Sequence, residues 1–383
     1  MAPQRLTLAE LNRATLARQG LLAPLPQATI PELVGQIGSL QAQHPDWPQL
    51  ALLARMPARS PAPDLVGARA RRSVVRASLM RITVHVVRSE DFWAASTVTL
   101  PYRAAQWRTG FKQDPVTSAL GRRIASAHAA VLAAMREGPL AIHRIERILA
   151  AEIGDTALPG NRVLWRHFSA SVPLVQVPYE GEAYGRSVYV PAADWLGPPT
   201  AEEADAARAA EHLAELYLRA FGPATADDFA AYVGRGRNLA ALRAALHGLG
   251  DRLVRLEDAS GRTLVDLEDA PRPSATTPAP PRLLARWDSL LLAYATRDRT
   301  RVLPEPYRST VITRNADVLP TILIDGVVAG TWLPRRDHDG QPYAELRPFH
   351  RLGRDERRAL EAEADRLLPA LAPGAFARYP GTD

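Results

Sequence analysis

The sequence predicts an α+β protein built of three tandem winged-helix modules followed by a C-terminal β-rich lobe. Three observations predict it. Helical segments with clear start signals give way to short strands around a turn in three successive stretches, residues 1–97, 98–199 and 200–270. A Pro-rich stretch, 271–281, reads as an extended linker. Beyond it, residues 282–383 carry short apolar runs separated by an Asp325-Gly326 turn, a strong hairpin signal. Helices followed by a strand pair are the plan of a winged helix, and its recurrence outweighs any single instance.

The first stretch opens with Thr7-Leu-Ala-Glu10, a capping box in which both side chains satisfy N–H groups left unpaired at a helix start. Thr29-Ile-Pro-Glu32 is a second. Ile30, Leu33, Val34, Ile37, Leu40 and Gln41 then share one helical face, so the helix is expected to run to Gln41 and to turn that amide inward. A third helical piece is expected over 64–78. Met80, Ile82, Val84 and Val86 alternate with Arg81, Thr83 and His85, the pattern of a half-buried strand with a polar face.

In the second stretch, 124–135 is helical, Gly138-Pro139 breaks it, and 142–151 forms the next helix. A further turn is expected at 165–168, then strands at 172–179 and 187–190. The third stretch starts with the box Thr200-Ala-Glu-Glu203, whose helix reaches Phe221 before Gly222-Pro223 stops it. Thr225-Ala-Asp-Asp228 starts another helix and 239–249 a third. Strands at 253–256 and 263–267 flank the turn signal Ser260-Gly261. In the lobe, strands are expected at 290–294, 318–324 and 327–332, with a closing helix at 356–371.

Composition excludes several functions. The 383 residues include no cysteine, which removes disulfides, thiolate nucleophiles and Cys-based zinc sites. None of the nine His residues forms an H-E-x-x-H or comparable metal spacing. Asp337, His338 and Asp339 form the densest polar cluster, and a solvated turn accounts for it. There is no Gly-x-Ser-x-Gly, Walker loop or Gly-x-Gly-x-x-Gly following a strand. No apolar run approaches membrane-spanning length and the N-terminus lacks a signal-peptide pattern, so a cytoplasmic protein is expected.

The formal net charge is +6, which favours a polyanionic partner. Lys112 is the only lysine. Coding bias explains that, yet an arginine surface grips phosphate through forked contacts.

Three constellations could carry chemistry. Gln41 and Gln43, in Ser39-Leu40-Gln41-Ala42-Gln43-His44-Pro45, stand where Pro45 disfavours helix at His44. In a straight helix the two amides lie about 200° apart, so a frayed end is needed to bring both to one cavity; the alternative is that they tie off a helix end. The polar face Arg81, Thr83 and His85, preceded by Arg76, reads as a pocket wall or as a solvent-facing strand. The hairpin tip Asp325-Gly326 reads as a wedge for a DNA groove or as a core hairpin. Basic side chains that could hold phosphates are Arg76, Arg235, Arg237, Arg299, Arg301, Arg335 and Arg336.

Several stretches together resemble the AlkZ-like winged-helix DNA glycosylases. They are Leu40-Gln41-Ala42-Gln43, Met80-Arg-Ile-Thr-Val-His85, Phe221-Gly-Pro-Ala-Thr225 with Asp228-Phe229, Trp287-Asp-Ser-Leu-Leu-Leu292 with Tyr294 and Asp298-Arg299, and Leu319 to Trp332. The resemblance implies three winged-helix modules and a β-rich lobe, C-shaped around a basic concave surface. It implies Gln41 and Gln43 as the catalytic motif, in the Gln-x-Gln form of the self-resistance branch. It implies double-stranded DNA carrying alkylated guanine as the partner and no metal or organic cofactor; a monomer is the default expectation. Ile82 departs from the pattern, since relatives commonly have Gly there.

Two amides suffice only for an activated substrate. Glutamine is a poor general base, but it can orient a water. Guanine alkylated at N7 carries a positive charge and leaves without protonation, so positioning and fixed dipoles can supply the remainder. With one lysine, distant from the motif in sequence, a Schiff-base lyase step is not expected. The competing reading is a non-enzymatic winged-helix regulator; it gives no reason to bury two amides beside a basic groove.

Overall fold

The computed structural model describes residues 3–25, 28–44, 47–57, 63–110, 115–154, 162–179, 187–234, 239–315, 317–370 and 372–380. The chain divides into two compact units. One comprises Met1–Asp64, Ala214–Tyr232 and Leu239–Asp383; the other comprises Leu65–Leu213 and Val233–Asn238. The architecture is mixed α and β throughout.

The first unit holds two sheets. In the smaller, Gln4–Leu6 lies parallel to Leu253–Asp258, which pairs antiparallel with Thr263–Leu267. Asp258 closes that hairpin by accepting from the N–H groups of Ser260 and Arg262, at 2.9 and 3.0 Å. The larger sheet runs in chain order through Arg282–Leu284, Thr321–Ile324, Val327–Arg336, Pro342–Pro348 and Phe376–Arg378. Only its last pairing is parallel. Helix Leu8–Arg18 starts at the Thr7/Glu10 capping box, with reciprocal bonds of 2.8 and 3.2 Å. Its Leu16 joins Leu284, Leu291, Val302, Leu323 and Val328 in one core. Helix Arg354–Leu367 buries Leu360, Ala364 and Leu367. The expected strand at 290–294 is instead a 3₁₀ turn, Ser289–Leu291, started by Asp288, which accepts from the Leu290 N–H at 3.1 Å. Segment 271–281 forms no helix or strand; Arg13 Nε ties it down through the Thr277 carbonyl at 2.7 Å.

In the second unit the strands lie in the order Val84–Arg88, Val74–Ser78, Leu174–Val177, Val188–Pro191 and Leu140–Ala141. Two hairpins therefore share an edge, with Arg76 opposite Gln176. Helices Pro115–Arg136, Ile142–Ile153 and Val163–Ser169 cover them, and Val131, Ile145, Leu149 and Phe168 form the core. The helix expected over 64–78 stops at Ala70, and Val74–Ser78 is a strand. The β-branched pair Val74-Val75, both buried, suits a pleated core position better than a helix.

The alternation from Met80 to Val86 is not one strand either. Leu79–Thr83 is a loop between strands, with Arg81 and Ile82 at φ of +53° and +59°. The Thr83 N–H reaches the Met80 carbonyl at 3.0 Å, closing a tight turn with both central residues left-handed. Such turns match strand twist and favour Asn-Gly. Ile82, β-branched, sits there under strain.

Candidate active site

Helix Ile30–Ile37 ends four residues short of Gln41. Gly38 stops it, at a φ of +85° that glycine tolerates. Space demands glycine too, since a Cβ there would lie 2.9 Å from the Ala220 Cβ and 3.2 Å from the Phe221 ring. Leu40–Gln41 is then a short strand. The expected helical placement of Gln41 is corrected accordingly; Gly38 as a helix stop was the signal that the apolar stripe concealed.

The segment ahead of Gln41 is held by three side chains. Ser289 Oγ donates to the Ser39 carbonyl at 2.6 Å, and the Ser39 hydroxyl meets the Tyr232 hydroxyl at 3.1 Å. Gln19 Nε2 donates to the carbonyls of Ile37 and Ala220, at 3.2 and 3.0 Å. Arg55 in turn donates to Gln19 Oε1 at 3.1 Å and grips the Asp288 carboxylate through both terminal nitrogens, at 2.8 and 2.9 Å. Both charged side chains are fully buried. Gln19, Arg55, Tyr232 and Ser289 were not singled out from sequence; Asp288-Ser289 stood only inside a familiar stretch.

Gln41 is buried, Gln43 exposed and His44 half-buried. His44 lines a cavity of about 850 Å³ whose other walls include Trp47, Trp332, Leu333 and Tyr343, with Arg335 and Arg336 among its basic residues.

The residues expected as a pocket wall lie in the second unit. His85 is fully buried, and its Nδ1 sits 2.9 Å from the Thr83 carbonyl while its Nε2 lies 3.1 Å from Arg81 Nη2. Burial, aided by the charge of Arg81, lowers its pKa to about 3. The ring is therefore neutral near pH 7: Nδ1–H donates to Thr83 and Nε2 accepts from Arg81. A neutral imidazole thus steadies a guanidinium at the turn. The Thr83 hydroxyl donates to the Met80 carbonyl at 3.1 Å.

The expected phosphate contacts divide. Arg335 and Arg336 are exposed, at the end of strand Val327–Arg336. Arg299 is half-buried and donates to the Tyr294 carbonyl at 3.0 Å. Arg301 is corrected: it is 2% exposed, donates to the Pro223 carbonyl and lies over the Tyr294 ring. Arg76, 6% exposed on an inner strand, is likewise no surface contact. Arg235 and Arg237 lie outside the described residues. The wedge reading of Asp325-Gly326 gives way as well. Arg13 pairs with the Asp325 carboxylate at 2.5 Å, and Asn12 donates to the Gly326 carbonyl at 2.8 Å, so the tip is seated on helix Leu8–Arg18. Asp337, His338 and Asp339 form an acidic group at a turn, where Asp337 accepts from the N–H groups of Asp339 and Gln341.

A buried Gln41 and an exposed Gln43, on a chain segment clamped at Ile37 and Ser39 and followed directly by a cavity-lining His44, suit an enzyme that positions water on a polyanion. Residues 34–370 match the family described as DNA glycosylase AlkZ-like, and the chain belongs to that family of DNA glycosylases. The fold is similar to that of Streptomyces sahachiroi DNA glycosylase AlkZ, with a TM-score of 0.79 at 21% identity, over 98% of this chain and 100% of that one. No curated protein matches the sequence. Among the described residues no helix is long and apolar enough to cross a membrane.

Proposed function

We propose that this DNA glycosylase hydrolyses the N-glycosidic bond of N7-alkylated guanine in duplex DNA, bulky adducts and crosslinks included. Gln41 and Gln43 orient the attacking water. The observation that carries the reading is the clamped, extended run into the motif. Gln41 sits on a short strand rather than a helix, so the separation of about 200° that a straight helix would impose on the two amides does not apply. Three anchors, Ser289, Tyr232 and Gln19, hold Ser39 and Ile37 at fixed positions, which is the preorganisation that a water-orienting amide requires.

Neither amide titrates, and none is required to. The cationic base departs by itself, and oriented dipoles stabilise the developing sugar cation. The product is an abasic site, without strand cleavage by a lysine. The three helix-then-hairpin stretches are proposed as winged-helix modules, the protein as a monomer, and its role as resistance to a DNA-alkylating natural product.

The test is a gel assay on duplex DNA carrying N7-methylguanine, treated with alkali to cut abasic sites. Gln41→Ala and Gln43→Ala should each slow excision by about a hundredfold, the scale of one lost preorganised dipole, while still binding DNA. If both variants cut as fast as the parent, the site assignment is wrong.

A further inference from the structure

The cavity entered by His44 is far larger than a methyl substituent needs. At about 850 Å³ it falls in the range of sites for drug-sized groups. Its floor is aromatic and rigid. Trp332 is fully buried and donates its Nε1–H to the Leu284 carbonyl at 3.0 Å, which fixes its ring. Trp47 meets that ring edge-on, with centroids 5.7 Å apart. Tyr343 stacks on Phe376 at 5.8 Å. Leu333, half-buried, completes an apolar wall.

The rim is cationic. Arg335 is paired with Glu345, whereas Arg336 donates to the Gly340 carbonyl and has no carboxylate partner among the described residues. Concave aromatic walls under an arginine rim complement a flat apolar group attached to a phosphate polymer. Location points the same way. His44 follows Gln43 directly, about 3.8 Å along the chain, so a group projecting from a base held at the motif has this cavity within reach.

We propose that the cavity receives the planar apolar substituent of an N7-alkylated guanine, with Trp47 and Tyr343 as its stacking walls and Arg336 on a flanking phosphate. The proposal rests on Gln41 and Gln43 being the excising residues and adds what selects the lesion. The substituent is held by stacking, which tolerates differing ring systems, so the preference follows flatness and size more than hydrogen-bonding pattern.

The experiment uses the full chain and two duplexes, one with N7-methylguanine and one with N7-(pyren-1-ylmethyl)guanine, under single-turnover conditions. Trp47→Ala empties one wall; Leu333→Trp, on a half-buried side chain, fills the cavity without removing a core contact. Each should lower the pyrenyl-to-methyl rate ratio about tenfold or more, the scale of one lost stack. Pyrene fluorescence, quenched on binding by the parent, should recover in both. An unchanged ratio in the two variants, or equal loss on both duplexes, would overturn the proposal. Gln41→Ala separates the two levels. If it still excises both bases, the reading of the motif has failed. If it excises neither while the cavity variants leave the ratio intact, only the cavity has.

Discussion

Removing Arg55 tests how the motif is supported. Its guanidinium and the Asp288 carboxylate are both fully buried and joined by two bonds of 2.8 and 2.9 Å. Arg55→Met leaves that carboxylate in the interior with the Leu290 N–H, at 3.1 Å, as its remaining donor. Stranding one member of a buried ion pair costs about 3–5 kcal/mol, and Gln19 Oε1 also loses its donor. A loss near 4 kcal/mol is expected, roughly a thousandfold in the folding equilibrium. Arg55→Met with Asp288→Leu removes both charges and should cost less than Arg55→Met alone, although it also gives up the turn-starting cap, worth about 1 kcal/mol. Urea denaturation followed by tryptophan fluorescence measures the stabilities. Hydrogen exchange over residues 37–44 reports whether the run into the motif loosens with them. A cost below about 1 kcal/mol for the single variant, or a double variant costing the sum of the two singles, would refute the reasoning.

Three further outcomes follow from the geometry. At position 82, with φ of +59°, Ile82→Gly should be more stable than Ile82→Ala by about 1 kcal/mol, the reverse of the usual order; thermal melts compare them, and a less stable glycine variant would contradict the turn assignment. His85 has a pKa of about 3 in the fold against 6.5 in the unfolded chain. Both states are neutral above 6.5, and below it the unfolded chain takes up the proton first. Stability should therefore fall as pH drops from 6.5 toward 3, by up to about 1.4 kcal/mol per pH unit from this residue. His85→Gln should flatten that slope in denaturation curves. Finally, two amides acting on a cationic leaving group give an excision rate that is flat from about pH 6 to about pH 9; a bell-shaped single-turnover profile would reveal an acid or base that the proposed chemistry lacks.

The candidate residues fared according to how local their determinants are. Gln41 and Gln43 stood out by spacing and resemblance, yet the stripe from Ile30 to Gln41 predicted helix where Gly38 enforces a stop. That stop depends on Ala220 and Phe221, which leave no space for a Cβ. The arginines could not be sorted from sequence at all. Arg301 and Arg336 look alike in a string of letters, but one lies over a buried tyrosine ring and the other is exposed.

What the sequence determined by itself was whatever a few neighbouring residues decide. The boxes at Thr7/Glu10, Thr29/Glu32 and Thr200/Glu203 start helices because a side chain three positions away reaches the orphan N–H. Asp325-Gly326 turns because both residues adopt positive φ, +46° and +80°. Tertiary structure alone decided which charges go inside and what steadies the motif. Arg55 finds Asp288 across 233 residues of chain, and Asn12 finds the Gly326 carbonyl across 314. A buried charge is stable only beside its partner, and that partner's identity is written in the fold rather than in the residues next to it.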